Sequence, residues 1–190
     1  MHAEAINLRL AGRGGQGIML AAFLLAQAAT SEGLHVVQTQ SYGPEARLGA
    51  AKSDVILSPH EIAFPEILTP DILLCLSRDA YQAYEASRGE ETLLLLDQQA
   101  ARELGLDQGL VLPLTQTARE LKAPFAANIV ALGAIVELSE AVSPPAAREA
   151  IRSRVPADSF ALNSRALDAG LRLAADVRGG RPLSLLASAQ

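Results

Sequence analysis

The sequence predicts an α/β protein: a single Rossmann-like domain with a doubly wound, mainly parallel sheet and a helical C-terminal third. Short apolar runs alternate with helix-like stretches through the first two thirds of the chain, as in folds whose parallel strands are joined by helices. Two of these runs, ILLCL and LLLLD, are apolar almost throughout, which is typical of strands covered by helices on both faces.

The pattern assigns each element in turn. Ile6, Leu8 and Leu10 alternate with polar residues and predict the first strand. The run IMLAAFLLAQAA contains neither Gly nor Pro and predicts the helix that follows. The prolines of PHEIAFPEILTP indicate an irregular crossing. The further strands are expected at about 34–40, 53–58, 71–76, 93–97 and 109–113, with a helix at 78–88 between the fourth and the fifth.

The C-terminal third is predicted to be helical, with helices at about 125–140, 144–153 and 160–176. The tail RGGRPLSLLASAQ either docks on another surface or frays. We therefore expect one domain over residues 1–178 and a C-terminal tail over 179–190.

A glycine turn connects the first strand to the first helix. It reads GRGGQG, so it satisfies G-x-G-x-x-G, and its backbone N–H groups would favour an anion above the helix N-terminus. A classical NAD site also needs a carboxylate about 20 residues on, where this chain has Gln38, Thr39 and Gln40. Classical NAD binding is therefore not expected. The residues of the turn are Gly12, Arg13, Gly14, Gly15, Gln16 and Gly17.

Composition excludes several classes of protein. The net charge is −5 and aromatic residues make up 4%, so the chain offers neither the basic face nor the stacking platform of a nucleic-acid-binding protein. No apolar run is long enough to span a membrane, and the N-terminus does not resemble a signal peptide. The single cysteine, Cys75, and the three separated histidines cannot hold an iron–sulfur cluster or a closed zinc site. We expect a cytoplasmic protein that binds no metal by itself.

A second polar loop follows the second strand. Its Gly-Pro pair and charges are typical of an ordinary surface loop. However, both loops are expected at the carboxyl ends of neighbouring strands, where open α/β sheets bind their ligands. The candidate residues of this loop are Ser41, Tyr42, Gly43, Pro44, Glu45 and Arg47.

The two loops together resemble the gamma subunit of the 2-oxoacid:ferredoxin oxidoreductases. That family has a G-x-GGQG turn, a segment like QTQSYGPEARGG and a strand like SDVIIS; this chain has GRGGQG and VVQTQSYGPEARLGAAKSDVILS. FAANIVALGAIV also resembles the N-x-x-A-L-G helix of the family. The form QTQSYGPEAR is most similar to the 2-oxoglutarate branch. One departure is Leu48, which replaces the first of two family glycines and tolerates positive φ poorly.

The resemblance implies an accessory subunit. The family oxidatively decarboxylates a 2-oxoacid to its acyl-CoA and passes electrons to ferredoxin. Thiamine diphosphate, Mg²⁺ and iron–sulfur clusters would lie on alpha, beta and possibly ferredoxin-like delta subunits, with coenzyme A as substrate. This chain would hold no cofactor alone, would contribute no catalytic residue, and would line the active-site entrance and the coenzyme A route.

Two alternatives remain open at this stage: a nucleotide- or coenzyme A-binding Rossmann-like module, and a purely structural subunit whose glycines serve packing. Several individual residues likewise have both a ligand-binding and a structural interpretation. Arg47 could bind a phosphate or carboxylate or form a salt bridge. Gln16 could contact a ligand or cap the helix. Asn128 could hydrogen-bond the adjacent loop or face a cofactor, and Tyr42 could be a core aromatic.

Overall fold

A computed structural model describes residues 4–42 and 49–179 of the chain. Its centre is a six-stranded sheet with strand order β2-β3-β1-β4-β5-β6. The strands are β1 (Ile6–Arg13), β2 (His35–Tyr42), β3 (Ala50–Ser58), β4 (Ile72–Cys75), β5 (Leu93–Asp97) and β6 (Leu110–Leu112). The helices are α1 (Ile18–Ser31), α2 (Arg78–Tyr84), α3 (Gln98–Leu104), α4 (Leu114–Glu120), α5 (Ala127–Ser139), α6 (Pro144–Arg154) and α7 (Ala157–Arg178).

Helices cover both faces of the sheet, as alternate residues of the central strands show. Ile72 and Leu74 of β4 belong to the larger core, which α1, α4, α5, α6 and α7 complete. Leu73 and Cys75 belong to a smaller core that α2 and α3 cover on the opposite face. The predicted doubly wound fold with a helical C-terminal third is confirmed, and the apolar runs are explained by burial on both sides.

The sheet is mainly parallel, with one exception. β4 runs parallel to β1, β5 to β4, and β6 to β5, whereas β3 is antiparallel to both β1 and β2. The connection between β2 and β3 is too short for the crossover that parallel neighbours require, so these strands form a hairpin. The expectation that the two polar loops follow neighbouring strands is therefore wrong, because β3 lies between β1 and β2.

Two short helices were not expected from the sequence. α3 begins directly after β5, and the carboxylate of Asp97 accepts a hydrogen bond from the backbone N–H of Gln99 at 3.0 Å. The same carboxylate accepts one from the N–H of Thr115 in the first turn of α4, at 2.7 Å. A single buried aspartate thus positions the starts of both helices. No helix within the described parts of the chain has the length and apolar character needed to cross a bilayer.

Candidate functional site at the carboxyl edge of the sheet

The glycine turn lies where β1 meets α1. It is closed by a hydrogen bond from the N–H of Gln16 to the carbonyl of Arg13, at 3.0 Å. Gly15 has φ +90° and Gly17 has φ +72°, which L-residues with a side chain adopt only with strain. No described side chain caps α1, so the turn presents the positive end of a 14-residue helix at this edge.

The glycines of the turn serve different purposes. A Cβ built on Gly12 would lie 2.7 Å from Cγ1 of Ile18, and one on Gly17 would lie 2.4 Å from Nδ2 of Asn128. By contrast, no atom of the described residues lies within 4 Å of a Cβ built on Gly15. Close packing therefore requires Gly12 and Gly17, whereas Gly15 has no such close neighbour among the described residues.

Gln16 braces the turn with both ends of its amide. Its Oε1 accepts a hydrogen bond from the N–H of Arg13 at 2.6 Å, and its Nε2 donates to the carbonyl of Leu76 at 3.2 Å. The side chain thereby connects the turn to the end of β4, and it does not cap α1. A ligand contact by Gln16 stays a prediction.

Asn128 supports the turn from the first residues of α5. Its Nδ2 donates to the carbonyl of Gly17 at 3.0 Å, and the side chain is buried. This is the loop-backbone contact that the sequence left as one of two alternatives. Its Oδ1 is also buried and accepts no hydrogen bond from the residues that the structure describes. Asn128 therefore fixes the spacing between α5 and the start of α1.

Arg13 forms an ion pair at the rim of the site. Its guanidinium donates to Oδ2 of Asp79 at 2.7 and 3.2 Å. These hydrogen bonds are the main reason that the pKa of Asp79 lies below its usual value. The Arg13 side chain is 45% exposed, so water screens this pair and an incoming anion could compete for the guanidinium.

The second loop meets the turn through the start of β3. The N–H of Gly14 donates to the carbonyl of Gly49 at 3.3 Å, and Arg13 pairs with Ala50 in the sheet. Ser41 lies exposed near the end of β2. The predicted residues Gly43, Pro44, Glu45 and Arg47, together with Leu48, lie outside the described residues, as does the side chain of Tyr42.

A groove beside the turn was not predicted from the sequence. A cavity of about 170 Å³ is lined by Arg13, Gln16, Ser77, Asp97 and Arg119, among other residues. A second cavity of about 340 Å³ shares Asp97 and Arg119 and adds Arg102. The groove lies at the carboxyl ends of β4 and β5, and its arginines belong to an acidic chain of net charge −5. Glu103 also lines the smaller cavity, so the groove carries charges of both signs, and an anionic group would bind at its arginines. The groove depends on the positions of α3 and α4.

A buried ion pair between β1 and β3 was also missed. Arg9 pairs with Asp54 across β1 and β3, with N–O distances of 2.8 and 2.7 Å, and also donates to the carbonyl of Ile67. Lys52 contacts the same carboxylate at 2.7 Å. Burial raises the pKa of Asp54, but the hydrogen bonds from Arg9 and Lys52 outweigh burial and hold it below its usual value. The carboxylate therefore stays charged and stabilises the pairing of β1 with β3 at the middle of the strands.

The described residues contain no group of three or more His, Cys, Asp or Glu side chains that could hold a metal ion. Cys75 is fully buried, and burial raises the pKa of its thiol to about 12. At neutral pH this thiol is protonated and is not a nucleophile.

Comparisons with known proteins agree with this geometry. The chain matches the family described as pyruvate ferredoxin/flavodoxin oxidoreductase over residues 7–173. It is 40% identical to a 2-oxoglutarate synthase subunit KorC of Methanocaldococcus jannaschii, covering 90% of this chain and 95% of that protein. The KorC subunit of Methanothermobacter thermautotrophicus is 39% identical, covering 88% and 94%.

One solved structure shares both the fold and much of the sequence. The gamma subunit of a keto/oxoacid ferredoxin oxidoreductase from Geobacter sulfurreducens superimposes with a TM-score of 0.81 at 37% identity. The similarity covers 92% of this chain and 98% of that one. It therefore extends over the sheet, the glycine turn and the helical third.

Proposed function

The chain belongs to the pyruvate ferredoxin/flavodoxin oxidoreductase family as a gamma-type subunit, and we propose that its complex oxidises 2-oxoglutarate. The assignment of 2-oxoglutarate rests on one observation. The chain is similar over most of its length to subunits named 2-oxoglutarate synthase KorC, at 40% and 39% identity. The QTQSYGPEAR segment, which resembles the same branch, agrees with this assignment.

In the proposed reaction the bond between C1 and C2 of the 2-oxoacid breaks and CO₂ leaves. The acyl group passes to the thiol of coenzyme A, and two electrons pass to ferredoxin. Partner subunits of alpha, beta and ferredoxin-like type would supply thiamine diphosphate, Mg²⁺ and iron–sulfur clusters in the cytoplasm. This chain would be a non-catalytic subunit, because its one thiol is buried and protonated.

The contribution that we propose for this chain is a wall of the coenzyme A route at the carboxyl edge. Three features support it: the positive end of α1, the lack of a close neighbour at Gly15 among the described residues, and the groove that contains Arg13 and Arg119. Coenzyme A carries several phosphate charges, and such charges bind well at helix N-termini and at arginine side chains. Arg47 comes between β2 and β3 in the sequence, and we propose it as a further phosphate ligand.

The complex reconstituted with and without this chain tests the proposal as a whole. With the chain present, we expect coenzyme A-dependent reduction of ferredoxin with 2-oxoglutarate, and at least about 10-fold lower kcat/KM with pyruvate. Full activity without the chain would contradict a role at the coenzyme A route. Equal kcat/KM values for the two oxoacids would contradict the 2-oxoglutarate assignment.

The Arg47→Ala variant tests the phosphate contact. Loss of a charge-assisted contact of about 1.5–3 kcal/mol should raise the KM for coenzyme A by about 10- to 100-fold, while the KM for the oxoacid changes much less. Arg165→Ala, which removes an exposed charge from α7, is the matched control and should leave both values unchanged. If Arg47→Ala instead disrupts assembly on gel filtration, Arg47 is a subunit-docking residue. An unchanged KM for coenzyme A in an intact complex would refute the contact.

A further inference from the structure

The sheet ends on one side in β2, a strand of eight residues. Within the described parts of the chain, no strand pairs with the outer side of β2. The side chains at positions 35–41 are half-buried or exposed. β2 therefore presents the backbone groups of its outer side to any strand that can pair with them.

The register of the sheet shows which backbone groups of β2 point outward. The N–H of Gly14 donates to the carbonyl of Gly49. Because bonded and non-bonded pairs alternate along antiparallel strands, the odd-numbered residues of β3 are bonded to β1. The even-numbered residues of β3 are then bonded to the odd-numbered residues of β2. It follows that the N–H and C=O groups of Val36, Gln38 and Gln40 face away from the sheet.

The two edges of the sheet differ in how they are protected. Natural edge strands are usually short or carry a charge, a proline or a bulge, which prevents the addition of another strand. β6, at the other edge, has three residues, and it lies between Gly109, with φ +88°, and Pro113. β2 reads HVVQTQSY, without Lys, Arg, Asp, Glu or Pro, and pairs one to one with β3 over all eight residues. β2 is therefore suited to accept a further strand.

The strand that fits this edge best is β2 of a second copy. A two-fold axis brings the middle of an edge strand next to its own copy, where like charges would repel each other, and β2 has no charge of this kind. An antiparallel arrangement with Gln38 opposite Gln38 of the second copy also sets Val36 opposite Gln40. All three positions direct their N–H and C=O groups outward, so each group meets its complement.

We propose that two copies of this chain associate through their β2 strands and join the two six-stranded sheets into one. The interface is isologous, and backbone hydrogen bonds between Val36, Gln38 and Gln40 and their copies hold it together. Because the two β2 strands run in opposite directions, the glycine turns of the two copies lie at opposite edges of the joined sheet. This association is independent of the proposed reaction.

Disulfide trapping tests the register of the two strands. Cys75 is fully buried with a pKa of about 12, so an introduced cysteine reacts without interference. The Cα atoms of Gln38→Cys in two copies would lie about 5.5 Å apart, which a disulfide can bridge. Ser41→Cys, exposed near the end of the same strand, is the matched control, because its copy would lie about 20 Å away. We expect Gln38→Cys to form disulfide-linked dimers at least about 10-fold faster under mild oxidant. Equal rates would overturn the proposal.

Sedimentation equilibrium tests the association without introduced thiols. The parent chain should show a mass that rises with concentration toward twice the chain mass of 20.0 kDa. Gln38→Lys and Gln38→Glu each place like charges opposite each other, and each should raise the dissociation constant of the dimer at least about 10-fold. An equimolar mixture of the two variants should associate again, since opposite charges then face each other.

Circular dichroism establishes that both variants are folded, so a loss of association is not a loss of structure. A parent chain that stays monomeric at all concentrations would overturn the proposal. So would equal dissociation constants for the parent chain and the two variants, or a mixture of the two folded variants that associates no better than either one alone.

Discussion

The glycine turn and the contact between α5 and α7 both depend on residues without a side chain, but for different reasons. In the helix pair, a Cβ on Gly133 would lie 2.2 Å from the carbonyl oxygen of Leu167, and one on Gly170 would lie 1.9 Å from that of Val130. These glycines let two backbones touch. At the turn, Gly15 combines positive φ with the absence of any described atom within 4 Å of a built Cβ.

This difference shows what a glycine motif can and cannot indicate. Gly133 belongs to the N-x-x-A-L-G segment that resembles the family, yet its contacts are those of a packing residue. Gly12 and Gly17 of the turn also meet close neighbours. Among the glycines of the turn and of the helix pair, Gly15 alone combines positive φ with no described neighbour within 4 Å of a built Cβ. Because it also lies at the carboxyl edge of the sheet, it is the position of this set at which a ligand or partner has room beside the described residues.

The largest expected effect is at the helix pair. Gly133→Ala should reduce the free energy of unfolding by about 3 kcal/mol, because the new methyl group meets backbone atoms that cannot rotate away. The helix propensity of alanine recovers at most about 1 kcal/mol of this. Urea denaturation measures the change, and an unchanged midpoint would show that α5 and α7 can separate without loss.

A smaller effect is expected at Gly17, where the obstacle is a side chain. Gly17→Ala should cost about 2–3 kcal/mol, from positive φ and from contact with Asn128. Replacing Asn128 by Ala in the same chain should remove the steric part and leave the backbone strain. We expect a coupling energy of about 1–2 kcal/mol in the double-mutant cycle. Strictly additive losses would mean that Asn128 does not set the spacing at the turn.

The sequence predicted the strands and long helices because their signals are local. Apolar runs and the Gly-free stretch after Gly17 depend only on neighbouring residues. Helices α3 and α4, of seven residues each, were missed, whereas α2 of the same length was predicted within a longer stretch at 78–88. Asp97 before α3 is a typical N-cap that could have indicated the first of them. The antiparallel pairing of β2 with β3 could have been inferred from their short connection, since parallel neighbours need a longer one. The position of β3 between β1 and β2 has no such local signal.

The site was less predictable than the fold because it depends on strand order. The buried pair of Arg9 and Asp54 forms across two strands that are 45 residues apart in the chain, and nothing local to either residue indicates its partner. Likewise, Arg102 and Arg119 come together with Arg13 only through the positions of α3 and α4. The turn residues themselves were recognised because their spacing is contained in six consecutive positions.

The most direct measurement compares two glycines that share the same strain. Gly15 at the turn and Gly105 at the end of α3 both have positive φ, and no described atom lies within 4 Å of a Cβ built on either. Changing either one to Ala should cost about 1 kcal/mol of stability. Steady-state kinetics of the reconstituted complex then separate structure from function. We expect Gly15→Ala to raise the KM for coenzyme A by about 10-fold, while Gly105→Ala leaves it unchanged. Equal KM values for the two variants would contradict a coenzyme A route over the glycine turn.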